Sequence, residues 1–257
     1  MTRFPEAAPP WDAAAPVLVA AAHGTRLASG RRRMAELRLA VAAARPDVRV
    51  LAANVDEQVQ RPGLERVLAA EAAQGRPSVI VPLLLSAGYH MAHDVAGAVV
   101  AAQGWAAGAA SLGPHPDLVT VLSDHLAGAC TARGGTPSGL DAVVLAAAGS
   151  SDPRAVADVE ETARMLADAV GVSVTAAYLS AAAPKVEDAV ASLRGRGAAR
   201  IGLATYLIAP GVFADRLERC GADVVSATLA PHPLLTRLIL RRYDEAAADA
   251  RQVAALA

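Results

Sequence analysis

The chain has 257 residues, 54 % of them hydrophobic, and 24 basic against 25 acidic side chains give a formal net charge of −1. Such a chain has ample core but no global field for nucleic acid or an anionic membrane, and aromatics at 3 % offer few stacking platforms for single-stranded bases. No apolar run reaches the ~18–20 residues of a membrane span.

Residues 1–14, MTRFPEAAPPWDAA, are proline-rich and lack the apolar stretch of a signal peptide. They read as a flexible leader on a cytoplasmic protein. A first domain follows over residues 15–130. Its predicted strands are PVLVAAA (16–22), VRVLAANV (48–55), SVIVPLLL (78–85) and a weaker GAASLG (108–113), separated by alanine-rich segments of helical spacing. DLVTVLSDHLAGA closes this half as a helix. A glycine-rich linker, TARGGTPSG, covers 131–139. The second domain, 140–257, repeats the order with strands at 141–148, 172–179, 200–208 and 223–229. Short apolar runs alternating with helical patterns indicate α/β architecture: two tandem flavodoxin-like, doubly wound parallel-sheet domains. Cys130 and Cys220 are far apart and in no metal-ligand spacing, so they read as idle thiols in a reducing compartment.

The halves align by eye. AAHGTR matches AAAGSS, and SLGPHPDLVTVL matches TLAPHPLLTRLI. VRVLAANVDEQVQRPGLERVL matches VSVTAAYLSAAAPKVEDAV with two extra residues in the first. This duplication is an internal comparison: positions alike in both halves belong to the fold, and positions that change chemical type are candidates for function. His115 and His232 share the PHP motif and read as helix caps. His23 becomes Ala148, His90 becomes Phe213, and Asp56 becomes Ser180. All three first-half residues follow predicted strand ends, which form the ligand-binding rim of an open parallel sheet. Two imidazoles and a carboxylate suit a divalent first-row metal and can move protons. The insertion leaves Glu57 and Gln58 as rivals to Asp56. Arg26 and the run Arg31-Arg32-Arg33 follow the His23 turn. Arg26 is a candidate anion contact, the run a solvated helix face. His93 lies on the same helical start as His90.

The set AHGTR, an acidic residue after the second strand, P-x-x-x-x-x-GYH-x-x-x-D and LGPHP resembles the sirohydrochlorin chelatases, class II chelatases that insert Fe²⁺ or Co²⁺ into a reduced tetrapyrrole without ATP. The resemblance covers nearly the whole chain. It implies His23 and His90 as metal-site histidines, with Asp56 or Glu57 as the acidic ligand. It implies Arg26, Tyr89 and His93 as substrate contacts and a single active-site cleft between the domains. The metal is then a substrate and no cofactor stays bound. Sirohydrochlorin and the ion are the expected partners, and a monomer the expected state. Iron for sirohaem is favoured over cobalt for cobalamin because the chain has no histidine-rich tail. A metal or tetrapyrrole carrier without turnover is the alternative of a different class. A dinucleotide-binding protein is excluded by the lack of G-x-G-x-x-G after the first strand.

Overall fold

A computed structural model describes residues 4–86 and 89–256; the side chains of residues 89–92 lie outside the described residues. The first repeat runs β1 (Val17–Ala22), α1 (Ala28–Ala44), β2 (Val50–Asn54), α2 (Leu64–Ala72), β3 (Ser78–Pro82), α3 (Tyr89–Ala101), β4 (Ala106–Gly108) and α4 (Pro116–Thr131). The second runs β5 (Ala142–Ala147), α5 (Pro153–Val170), β6 (Val174–Tyr178), α6 (Val186–Gly195), β7 (Ile201–Tyr206), α7 (Val212–Leu217), β8 (Val224–Val225) and α8 (Pro233–Ala255). Each repeat forms a four-stranded parallel sheet, ordered β2-β1-β3-β4 and β6-β5-β7-β8. The two-domain doubly wound fold expected from the sequence is the one observed.

Both fourth strands are corrections. The strand expected at 108–113 is instead Ala106–Gly108, and of 223–229 only Val224–Val225 pairs as a ladder. These edge strands have a single neighbour. Beyond the ladder, single bonds follow, from Leu112 N–H to Leu84 and from Leu229 N–H to Leu207. Apolar content marks burial there, not continued pairing.

β1 explains why both faces need cover. Val17, Val19 and Ala21 join a core with Leu64 and Leu68 of α2 and Val95 and Ala98 of α3. Leu18 and Ala20 point to the other face and are equally buried. β5 repeats the scheme with Val190 and Leu193 of α6 and Leu217 of α7. The shared histidines cap as expected: His115 Nδ1 accepts from the Asp117 N–H at 3.0 Å and His232 Nδ1 from the Leu234 N–H at 3.2 Å, each followed by proline at the first helical position. Burial pushes the thiols of the free Cys130 and Cys220 up.

The compact units do not follow the sequence halves. Unit 1 holds residues 1–84, 90–112 and 236–257, and unit 2 holds 85–89 and 113–235. α4, which ends the first repeat, packs against α5 and β7 of the second sheet. Most of α8, which ends the chain, belongs with the first sheet, where the buried Tyr243 hydroxyl donates to the Pro16 carbonyl at 2.7 Å. Each unit therefore takes its closing helix from the other repeat. Two amphipathic helices with the same PHP cap carry no local mark of which sheet they cover.

The leader is a further correction. Trp11 is buried, with its indole N–H donating to the Gly104 carbonyl at 3.1 Å, and Phe4 packs on the first core. The Trp105 indole donates to the Pro5 carbonyl at 3.2 Å. Two tryptophans thus fasten residues that proline content alone marked as loose.

Candidate functional site

The order β2-β1-β3-β4 places the topological switch between β1 and β3, and ligands gather beyond the strand C-termini at such a point. His23 follows β1, the loop 55–62 follows β2, and α3 follows β3. His23 is exposed one residue past β1. Gly24 beside it has φ +91°, a left-handed turn that a glycine makes without steric cost. The turn is tied to the loop by the Thr25 N–H, which donates to Gln60 Oε1 at 3.0 Å.

The loop is bracketed by bridges between Asn54 and Gly63 in unit 1 and between Tyr178 and Lys185 in unit 2. The two extra residues fall inside this bracket. Asp56 Oδ1 accepts the Gln58 N–H at 3.0 Å and the Val59 N–H at 3.1 Å, so one of its oxygens holds the loop's own turn. The Glu57 side chain lies over Gly63, where an added Cβ would stand 2.7 Å from its carboxylate oxygen. Arg61 Nε approaches Glu57 at 4.0 Å.

A cavity of about 990 Å³ opens here, within unit 1. Its walls are His23, the loop from Val55 to Arg61, the start of α2 with Glu65 and Arg66, and His93 and Asp94 on α3. The structure thus brings together His23, Asp56, Glu57 and His93. It does not bring Arg26, which is exposed outside the lining and whose carbonyl accepts from Arg31 Nη1 at 2.7 Å. Arg26, four residues past the end of β1, follows the chain away from the strand end towards α1. Tyr89 and His90 begin α3, but their side chains lie outside the described residues. Among the described residues, no group of three His, Cys, Asp or Glu side chains could hold a metal ion.

Gln58, a rival to Asp56 in the sequence, also lines the cavity, as does Asp94, the acidic end of the GYH motif; sequence reasoning missed Arg61, Glu65 and Arg66. The signal for the two arginines was present. Aligned from the right end of the loop, Arg61 stands against Ala183 and Arg66 against Asp188.

The sister position in unit 2 is occupied. Counting from the paired starts of β3 and β7, His93 corresponds to Arg216. Arg216 donates to the Leu179 carbonyl and to Glu187 Oε1, both at 3.2 Å. Leu179 and Glu187 are the counterparts of Val55 and Glu65, so one arginine spans the gap that is open in unit 1. Ser180, opposite Asp56, donates its hydroxyl to the Ala148 carbonyl at 2.7 Å.

The CbiX family model matches residues 17–129 and 142–246, which are the two repeats. No curated protein matches the chain. Among solved structures, SirB from Bacillus subtilis with Fe³⁺ superposes with a TM-score of 0.77 at 23 % identity, covering 92 % of this chain and 97 % of that one. The sirohydrochlorin chelatase SirB from Bacillus subtilis subspecies spizizenii, in complex with cobalt, gives 0.73 at 20 % identity, with 91 % and 96 % covered. CbiX, described as the terminal enzyme of sirohaem biosynthesis in denitrifying bacteria, gives 0.64 at 20 %, with 90 % and 99 % covered. At these identities the likeness concerns the fold. With the family model matched across both repeats, the chain belongs to the CbiX family.

Proposed function

We propose that the protein is a sirohydrochlorin chelatase that inserts a divalent metal, Fe²⁺ in first place, into the reduced tetrapyrrole without ATP. What carries this reading is the one-sided chemistry of a CbiX chain. His23, Asp56, Glu57 and His93 line an open cavity beyond the strand ends of unit 1, while the sister gap is crossed by Arg216. Cobalt is the second candidate metal, because a related structure holds it.

In the proposed reaction the divalent ion enters the ring as two pyrrole N–H protons leave, so charge balances. His23 and His90 receive the ion from water. A neutral imidazole can ligate metal or accept a proton. One oxygen of Asp56 is committed to the loop turn, so its remaining oxygen and Glu57 are what the acidic side offers to cation or proton. The metal is substrate, and on this reading no cofactor stays bound to a cytoplasmic monomer.

An anaerobic absorbance assay tests the proposal. Purified protein is mixed with sirohydrochlorin and Fe²⁺ or Co²⁺, and loss of the metal-free spectrum is compared with the uncatalysed rate. We expect acceleration by the wild type and a loss of about 100-fold or more in His23→Ala and in His90→Ala, the range of a removed acid–base or ligand group. No acceleration with either metal would leave a carrier. Activity surviving both substitutions would move the chemistry elsewhere.

A further inference from the structure

Arg61 and Arg66 are the only permanently cationic side chains in the cavity wall among the described residues. Both are exposed, on the loop before α2 and in its first turn. Neither is spent on the fold. Arg61 is 81 % exposed and meets Glu57 only at 4.0 Å. Arg66 has no ion-pair partner among the described residues. Arg164, by contrast, is held to Glu161 at 2.6 Å and to Asp168 at 3.3 Å.

The repeat comparison bears on the same pair. Their counterparts are Ala183 and Asp188, so the half without the histidines also lacks both guanidinium groups and carries a negative charge at one position. A helix-propensity or solubility role would not require a change of sign, since Glu65 and Glu187 are alike at the neighbouring position.

The wall also holds Asp56, Glu57, Glu65 and Asp94. A cavity lined only by such groups would attract the cation and repel a polycarboxylate ring. Two guanidinium groups, set among Glu57 and Glu65 on the same loop and helix start, supply the positive charge of that wall. A planar fork of N–H donors matches a carboxylate bidentately, with a geometry a lysine does not offer. We infer that Arg61 and Arg66 bind peripheral carboxylates of the tetrapyrrole and thereby select polycarboxylate rings, while the acidic groups serve the metal. This inference rests on the chelatase reading.

The test measures affinity rather than turnover. Metal-free uroporphyrin, coproporphyrin and protoporphyrin carry progressively fewer carboxylates on the same ring, and each is titrated by absorbance into the full chain. Wild type is compared with Arg61→Gln, Arg66→Gln, the double variant, and Arg61→Lys with Arg66→Lys. Uroporphyrin affinity is expected to fall ~10-fold in each glutamine variant and further in the double, as for a lost charge-assisted pair. Protoporphyrin affinity should change less than ~2-fold, and lysine should restore only part of the loss. Equal losses for all three rings, or none for uroporphyrin, would overturn the inference. If the variants bind uroporphyrin as wild type does while wild type accelerates metal insertion, the chelatase reading stands and this inference falls. If wild type binds no ring at all, both fall.

Discussion

The loop after β2 and the loop after β6 leave the same sheet position and do opposite things. In unit 2 the five residues between Tyr178 and Pro184 lie against the preceding turn, with Ser180 bonded to the Ala148 carbonyl through both its hydroxyl and its backbone N–H. Arg216 then crosses to Glu187 and Leu179. In unit 1 the loop is two residues longer, turns on Asp56 and leaves a cavity below His93 and Asp94. The same architecture is therefore closed by internal bonds in one copy and kept open in the other.

The largest structural test of this contrast concerns the paired turn glycines. Gly24 and Gly149 both have positive φ, +91° and +93°. A Cβ on Gly149 would collide with the Ser180 carbonyl oxygen, whereas on Gly24 it would first meet the Gln60 side chain at 3.1 Å. Gly149→Ala should therefore cost about 3–4 kcal/mol and Gly24→Ala about 1–2 kcal/mol, the shared part being left-handed strain. Urea unfolding of the two variants measures the difference. Equal costs would mean that the two loops pack alike.

Arg216→Ala removes the bridge of unit 2. Its partner Glu187 and Arg216 itself are 47 % and 40 % exposed, so screening limits the ion pair to less than about 1 kcal/mol. A small fall in Tm with unchanged metal insertion is expected. A large loss of activity would place chemistry in unit 2 and break the comparison.

The smallest effect is one of pH. His125 on α4 has its pKa lowered from the ordinary 6.5, first by burial and then by His232, whose ring centroid is 5.6 Å away; Asp124 opposes the shift. The unfolded chain thus takes up this proton first. The stability contribution is full above the ordinary histidine value and is lost as pH falls through it towards the folded value. Thermal unfolding followed from about pH 7.5 to 5.5 should show a shallower decline in His125→Gln than in wild type. An identical decline would remove His125 from the account.

Much of this was legible in the residues. Six of the strands are long enough for apolar runs to mark them, and the repeat singled out His23 and Asp56, which the fold carries to one cavity wall. The short edge strands were misplaced because burial and ladder pairing part company where a strand has one neighbour. Arg26 lies outside the cavity lining, because nearness in sequence to a turn is not nearness in space. Arg61 and Arg66 were missed because the insertion was aligned from its left end alone; the bridges at Gly63 and Lys185 supply the right end. The helix exchange had no local signal.

That exchange separates two ideas the repeat invites one to merge. The segment that the family model matches twice is not the unit of folding. A chain cut in the glycine-rich stretch 131–139 would leave the first sheet without α8 and carry α4 away from the sheet it covers. Neither product would be a smaller version of the ancestor. The half that lacks counterparts of His23 and His90 therefore supplies a helix that the half bearing them needs to fold.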